Sequence, residues 1–191
     1  MKSISVLKLS FLGALFLFTA LLVQSANALE IKKNSIYQSK FTWEDQNGKT
    51  VHLSQLRGQP VVMAMAYTSC QASCPMIMSD LKAIEAKLPA DKKQQIRFAI
   101  FSFDSVVDVP KHLKAFSEKQ EVDTTRWNFF HGSVAAVQEL AALLGVRVRR
   151  LKDGGFDHSN VISILDRDGV LIHQQKGLRQ PPDESVAVLL K

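Results

Sequence analysis

From about residue 40 onward, short uniformly apolar runs take turns with stretches of helical spacing. Pro60-Val61-Val62-Met63-Ala64-Met65-Ala66-Tyr67 carries no charged or strongly polar position before its terminal tyrosine, which predicts a central strand buried on both faces. Arg97 to Phe103 predicts a second buried strand, Trp127 to Phe130 a short third, and Asn160 to Leu165 a fourth. Met76 to Leu88 sets Ile77, Leu81, Ile84 and Leu88 on one helical face, and Pro89 stops it. Pro110 suits the first turn of a helix running to about Lys119. Ser133 has the chemistry of an N-cap for a helix carrying Val137, Leu140, Ala141 and Leu144, which ends at Gly145. Asp183 to Leu190 predicts a closing amphipathic helix.

The remaining elements are strands. Phe41-Thr42-Trp43 and Thr50-Val51-His52-Leu53 predict a lead-in hairpin punctuated by Gly48 and Gly58. Val146, Val148 and Leu151 alternate with basic residues, as in a half-exposed strand. Asp166-Arg167-Asp168-Gly169 is a hairpin turn leading into Gly169 to His173. Strands that alternate with helices and finish in a hairpin and a helix predict an α/β fold. The expected form is a thioredoxin-like three-layer α/β/α sandwich on a mixed sheet, with an N-terminal β-hairpin extension.

The first 28 residues belong to a different pattern. Lys2 and Lys8 lead an apolar run from Phe11 to Val23, and Ala26-Asn27-Ala28 places small residues where a signal peptidase cuts. The run falls short of the ~20 residues of a membrane span, so residues 1–28 read as a secretory signal peptide, with an uncleaved anchor as the alternative. Leu29 to Lys191 is then one exported domain, placed in the periplasm. The net charge of +6 changes little, because the basic residues are scattered and no aromatic stripe accompanies the densest cluster, Arg147, Arg149, Arg150 and Lys152. That pattern argues against a nucleic-acid partner.

The chemistry concentrates in Cys70-Gln71-Ala72-Ser73-Cys74-Pro75, which follows the buried strand and precedes the first long helix. Cys70 and Cys74 are the only two cysteines. So close a pair closes a reversible disulfide or grips a soft metal. A structural staple across so short a loop removes little chain entropy. Pro75 disfavours helical backbone at Cys74, so Cys74 is expected to be extended at the N-cap, where the helix dipole favours a thiolate. Two thiols suit copper, in either oxidation state once an imidazole joins them; a closed zinc site wants four protein ligands. Of the five histidines, His52 falls in the lead-in strand, His112 in a surface helix, and His131 and His173 at strand ends. His158 lies in the polar loop from Asp153 to Ser159, next to the apolar strand Asn160 to Leu165. It is either the third ligand or a loop histidine satisfied by its neighbours. Asp157 beside it could orient the ring. Met63 and Met65 read as packing.

The pattern Tyr67-Thr68-x-Cys70-x-x-x-Cys74-Pro75 with Asp157-His158-Ser159 far downstream resembles the Sco/SenC family of copper-binding, thioredoxin-fold proteins. The similarity runs from Phe41-Thr42 and Asp45-x-x-Gly48 through Phe103-Asp104 to Ile164-Leu165-Asp166-x-Asp168-Gly169. The resemblance implies that Cys70, Cys74 and His158 ligate copper, and that the chain delivers it to the binuclear site of cytochrome c oxidase. It also implies as partners the oxidase copper subunit and a copper donor or thiol reductant. Asp104-Ser105-Val106-Val107-Asp108-Val109 keeps two family aspartates but lacks the family's Pro, Arg and Thr, a change that bears on partner recognition. Two alternatives remain. One is a thiol–disulfide oxidoreductase using Cys70 and Cys74, although their spacing is one residue longer than the usual redox motif. The other is a peroxidase in which Thr68 assists a thiolate.

Overall fold

A computed structural model describes residues 31–70, 73–152 and 154–191; the expected signal peptide lies outside them. Nine strands form among the described residues: β1 Thr42–Asp45, β2 Thr50–His52, β3 Val61–Ala66, β4 Arg97–Ser102, β5 Trp127–Gly132, β6 Val148–Arg150, β7 Phe156–His158, β8 Val161–Leu165 and β9 Leu171–Lys176. Seven build one mixed sheet in the order β2-β1-β5-β4-β3-β8-β9, and β6 pairs with β7 as a separate ribbon. β3 lies in the interior of the sheet, parallel to β4 and antiparallel to β8, and every one of its residues is buried. Its lack of polar positions follows from this placement.

The helices are α1 Cys74–Lys87, α2 Pro110–Lys119, α3 Val134–Leu143 and α4 Asp183–Leu189, with a single helical turn at Ala90–Lys93. Period two along the strands sorts the core into two layers. Val62, Ala64, Phe98, Ile100, Trp127, Phe129, Ile162 and Ile164 point to one side and pack with Cys74, Ile77, Leu81 and Ile84 of α1, Leu113 of α2 and Val186 of α4. The opposite face carries Phe101, which meets Trp43 edge-on at 4.7 Å and stacks on Phe130. The Leu144 carbonyl, just after α3, is tied to that face through Gln174, whose amide donates to it at 2.7 Å and to Ser163 Oγ at 3.1 Å. Helices on both faces of a mixed sheet give the thioredoxin-like sandwich.

The lead-in hairpin continues the sheet, because β1 pairs antiparallel with β5 as well as with β2. Its seat needs a glycine. A Cβ at Gly132 would stand 2.5 Å from the Trp43 ring, so only a residue without a side chain lets the indole lie over β5. Ser133 caps α3 as its position predicts, accepting from Ala136 N at 3.1 Å.

Several boundaries differ from the sequence reading. β5 extends to Gly132 and so contains His131; β9 starts at Leu171 and runs to Lys176, beyond His173. Within the segment expected as a polar loop before β8, Phe156–His158 instead form β7, which pairs with β6 in a ribbon that ends in His158. Three-residue strands are too short to show a period, so the alternation at Val146 to Leu151 points to half of the ribbon only.

Candidate metal centre

β3 ends at Ala66, and Tyr67 and Thr68 lead into the cysteine loop. A buried carboxylate fixes this junction. Asp108, fully shielded from solvent, accepts the Thr68 backbone N–H at 2.8 Å, the Thr68 hydroxyl, and the Ser102 hydroxyl at 2.6 Å. The ends of β3 and β4 are thereby tied to the turn before α2. Thr68 spends its hydroxyl on this bond, which removes it from the role a peroxidase needs. Asp104 organises the same turn, accepting from the backbone of Val106 and Val107 at 3.1 Å each. The sequence marks Asp108 as one of two aspartates kept from the family's stretch but not its role at the junction, because its partners lie up to forty residues away.

The helix begins one residue earlier than Pro75 suggests. Ser73, in helical backbone, is the N-cap of α1 and Cys74 is already helical, which corrects the expectation of an extended Cys74 at the cap. Met76 N and Ile77 N both donate to the Ser73 carbonyl, and Cys74 N donates to Cys70 Sγ at 3.5 Å. Burial of Cys74 among the α1 core outweighs the mild preference that a following proline imposes. The thiolate expectation is corrected too. Burial, first of all, and then the neighbouring Cys70 and Asp108 push the Cys74 thiol up to about 12, against the opposing effect of a Tyr67 backbone hydrogen bond. Desolvation outweighs the helix dipole here.

Three ligand atoms converge. The sulfurs of Cys70 and Cys74 and a ring nitrogen of His158 all lie within 4.8 Å of one another. Donors around a shared ion stand roughly 3.5–4 Å apart, given bonds of about 2.0–2.3 Å, so a small side-chain adjustment closes the set. Cys74 is buried, while Cys70 and His158 are half-exposed. Two thiols and an imidazole form a soft, three-donor site open on one side. Cys70 and Cys74 are not joined in a disulfide here.

The imidazole is held by its surroundings. Its Nδ1 lies 3.4 Å from the Ser159 carbonyl, its ring 4.7 Å from the Phe103 ring and 6.2 Å, edge-on, from Tyr67. Phe156 completes the wall at 5.1 Å from Tyr67. Partial burial, and after it the contact with Cys70, hold the Tyr67 phenol above its ordinary pKa. Beyond Phe103 and Phe156 opens a groove of about 500 Å³, lined also by Val106, Val137, Arg147 and Arg150.

Other candidates lie elsewhere. Asp157 is exposed and pairs with Arg149 at 2.9 Å, so it does not orient the ring. His112 Nδ1 bonds the Val107 carbonyl at 2.5 Å, His52 caps a short 3-10 turn, His131 lies opposite Glu44, and His173 faces Glu184 at 3.8 Å. Met63 and Met65 are buried in β3 as packing. The sequence reading missed Ser73. Its Oγ stands 3.2 Å from His158 Nε2 and 3.5 Å from Cys70 Sγ, a position that no local pattern announces.

Comparison with known proteins agrees with this geometry. The sequence model of the SCO1/SenC family matches residues 30–190. The SCO1 protein homolog of Bacillus subtilis is 26% identical over 178 residues, covering 91% of this chain and 90% of its own. The copper-bound structure of ScoI from Bradyrhizobium japonicum superposes with a TM-score of 0.66 at 25% identity, over 78% of this chain and 95% of that one. BsSco, described as a member of the Sco family of cytochrome c oxidase assembly proteins with a disulfide switch, superposes with a TM-score of 0.69 at 25% identity, over 78% and 89%.

Proposed function

We propose that this chain, which belongs to the SCO1/SenC family, is a copper metallochaperone that binds the ion through Cys70, Cys74 and His158 and delivers it to the binuclear copper site of cytochrome c oxidase. The observation that carries the reading is the convergence of two thiols and one imidazole within 4.8 Å. The copper bound by ScoI and the oxidase-assembly role of BsSco support both the cargo and the client. The leader pattern of residues 1–28 supports export and work in the periplasm.

The residues divide the work. Cys74, buried on α1, anchors the ion as thiolate after giving up its proton. Cys70, on the exposed side, can be approached by an incoming ligand, so the ion leaves by stepwise exchange of sulfurs. His158 closes the set and is the donor least tied to the core. Closing a Cys70–Cys74 disulfide from the copper-free dithiol passes two protons and two electrons to a disulfide-bearing oxidant, which is reduced to two thiols, and leaves no thiolate for copper. Copper is then held only by the reduced protein. Anaerobic titration of the reduced protein with Cu(I), against a chromophoric chelator, tests this. One tight equivalent that disappears in Cys70→Ser and weakens in His158→Ala supports the reading, and parent-like binding by Cys70→Ser overturns it.

A second reading has its own observation. Cys70 is half-exposed and Cys74 buried, the asymmetry of an attacking and a resolving thiol. On that reading the chain keeps the client's cysteines reduced. Turnover of a mixed-disulfide substrate by His158→Ala at the parent rate would favour it.

A further inference from the structure

Ser73 occupies the N-cap of α1 yet makes no capping bond. A serine at that position ordinarily accepts from the N–H two or three residues on, and loss of that bond costs on the order of 1 kcal/mol of helix stability. Here Pro75 offers no N–H, and Met76 N is taken by the Ser73 carbonyl. The hydroxyl turns instead into the thiol–imidazole site, 3.2 Å from His158 Nε2 and 3.5 Å from Cys70 Sγ.

The donor and acceptor roles follow from the partners. The Ser159 carbonyl only accepts, so its contact with Nδ1 places the ring proton there and leaves the lone pair on Nε2. Ser73 O–H therefore donates to Nε2. That nitrogen has one lone pair, which can take the Ser73 proton or a copper ion but not both. The ring does not need Ser73 for its orientation, because Phe103, Tyr67 and the Ser159 carbonyl already hold it.

We infer that Ser73 is a positioning residue whose hydroxyl competes with copper for His158 Nε2, and so sets how readily the ion is given up. The inference rests on the copper reading of the same three ligands. As His158 releases copper, the serine hydroxyl takes over the freed lone pair and leaves the half-buried nitrogen with a partner. A chaperone that must surrender its cargo gains from such a built-in exchange partner. The competition weakens binding at one ligand while the two sulfurs still hold the ion.

The test is a double-mutant cycle under anaerobic, reducing conditions, comparing the parent, Ser73→Ala, His158→Ala and the double variant. Cu(I) affinity is read by competition with bicinchoninate. Ser73→Ala is expected to bind roughly two- to tenfold more tightly, the scale of one net hydrogen bond, and the gain is expected to vanish in the His158→Ala background. Unchanged or weaker binding by Ser73→Ala, or a gain that persists without His158, overturns the inference. A metal-independent readout accompanies the cycle. In copper-free protein the His158 Nε2 nitrogen resonance should move in Ser73→Ala and stay in place in Ser73→Thr, which keeps the hydroxyl; an unmoved resonance also overturns the inference. If His158→Ala binds copper like the parent, the ligand reading of His158 fails and the inference falls with it, whereas weaker binding by His158→Ala with parent-like binding by Ser73→Ala overturns the inference alone. Because Ser73 makes no cap bond, Ser73→Ala should melt within a few degrees of the parent.

Discussion

The two sides of the centre are built differently. The thiol side belongs to the core: Cys74 is 1% exposed and packs with Ile77, Leu81 and the inner face of the sheet, while the Thr68 junction hangs on a buried carboxylate. The imidazole side sits on a ribbon of two three-residue strands that, among the described residues, pair with each other and with no strand of the main sheet. A cross-ribbon ion pair, Arg149 to Asp157, is 74% and 60% exposed at its two side chains. A hollow of about 500 Å³ lies behind its aromatic wall. The thiol half is thus held by burial and the histidine half by surface contacts, so a change in the centre is absorbed on the histidine side.

The largest expected effect tests the rigid half. Asp108→Ala strips acceptors from the Thr68 N–H and the Thr68 and Ser102 hydroxyls in a dry environment. Unsatisfied buried donors cost about 1–3 kcal/mol each, so denaturant unfolding should show a loss of roughly 3 kcal/mol or more. A loss under 1 kcal/mol would mean that the junction does not depend on this carboxylate.

Next comes the adjustable half. His158→Ala is expected to lower Cu(I) affinity by roughly a hundredfold, the upper range for loss of groups supporting a metal ligand, while stability changes by about 1 kcal/mol or less. Comparable damage to folding and to binding would erase the distinction between the two sides.

The third prediction concerns protons. The Cys74 thiol, raised to about 12 by burial, is protonated at neutral pH, so taking up copper as a thiolate ligand releases that proton. Cys74 alone should therefore contribute a rise in affinity of about tenfold per pH unit between pH 6 and 8, and any proton that Cys70 gives up on binding adds to that slope. A flat profile in competition titrations would show that Cys74 stays a thiol when the ion binds. The same shift acts on folding. The folded thiol holds its proton to a higher pH than the unfolded one, so this contribution is intact below about pH 9 and fades as pH climbs toward 12. Cys74→Ala should lose that alkaline slope in denaturation at pH 8 and 10.

The smallest effect is expected on the ribbon surface. Arg149→Ala breaks a solvent-screened pair and should cost less than about 0.5 kcal/mol, with copper binding unchanged. A larger loss in thermal unfolding would show that the ribbon owes more to this pair than its exposure allows.

Most of the scaffold was readable because it is written in local patterns. The apolar run of β3, the Ser133 cap and the Asp166 to Gly169 turn each encode their element within a few residues. The cysteine loop was readable from its place between strand and helix. What escaped depends on distant partners. The ribbon that carries His158 is too short for periodicity, the Asp108 network spans forty residues, and the Ser73 side chain abandons the role that its position predicts. The acidity of Cys74 was misjudged for the same reason: helix position is visible in sequence, whereas desolvation by the folded core is not.

Gly132 has a consequence beyond the seating of one indole. The hairpin of β1 and β2 shields the flank of β5, whose amides and carbonyls would otherwise be free to template another chain. A methyl group at Gly132 would lever Trp43 off that flank. The result would be a molecule that keeps its thiols in place yet polymerises through its bared margin, so the integrity of a copper-binding protein would be lost at a point outside its ligand set.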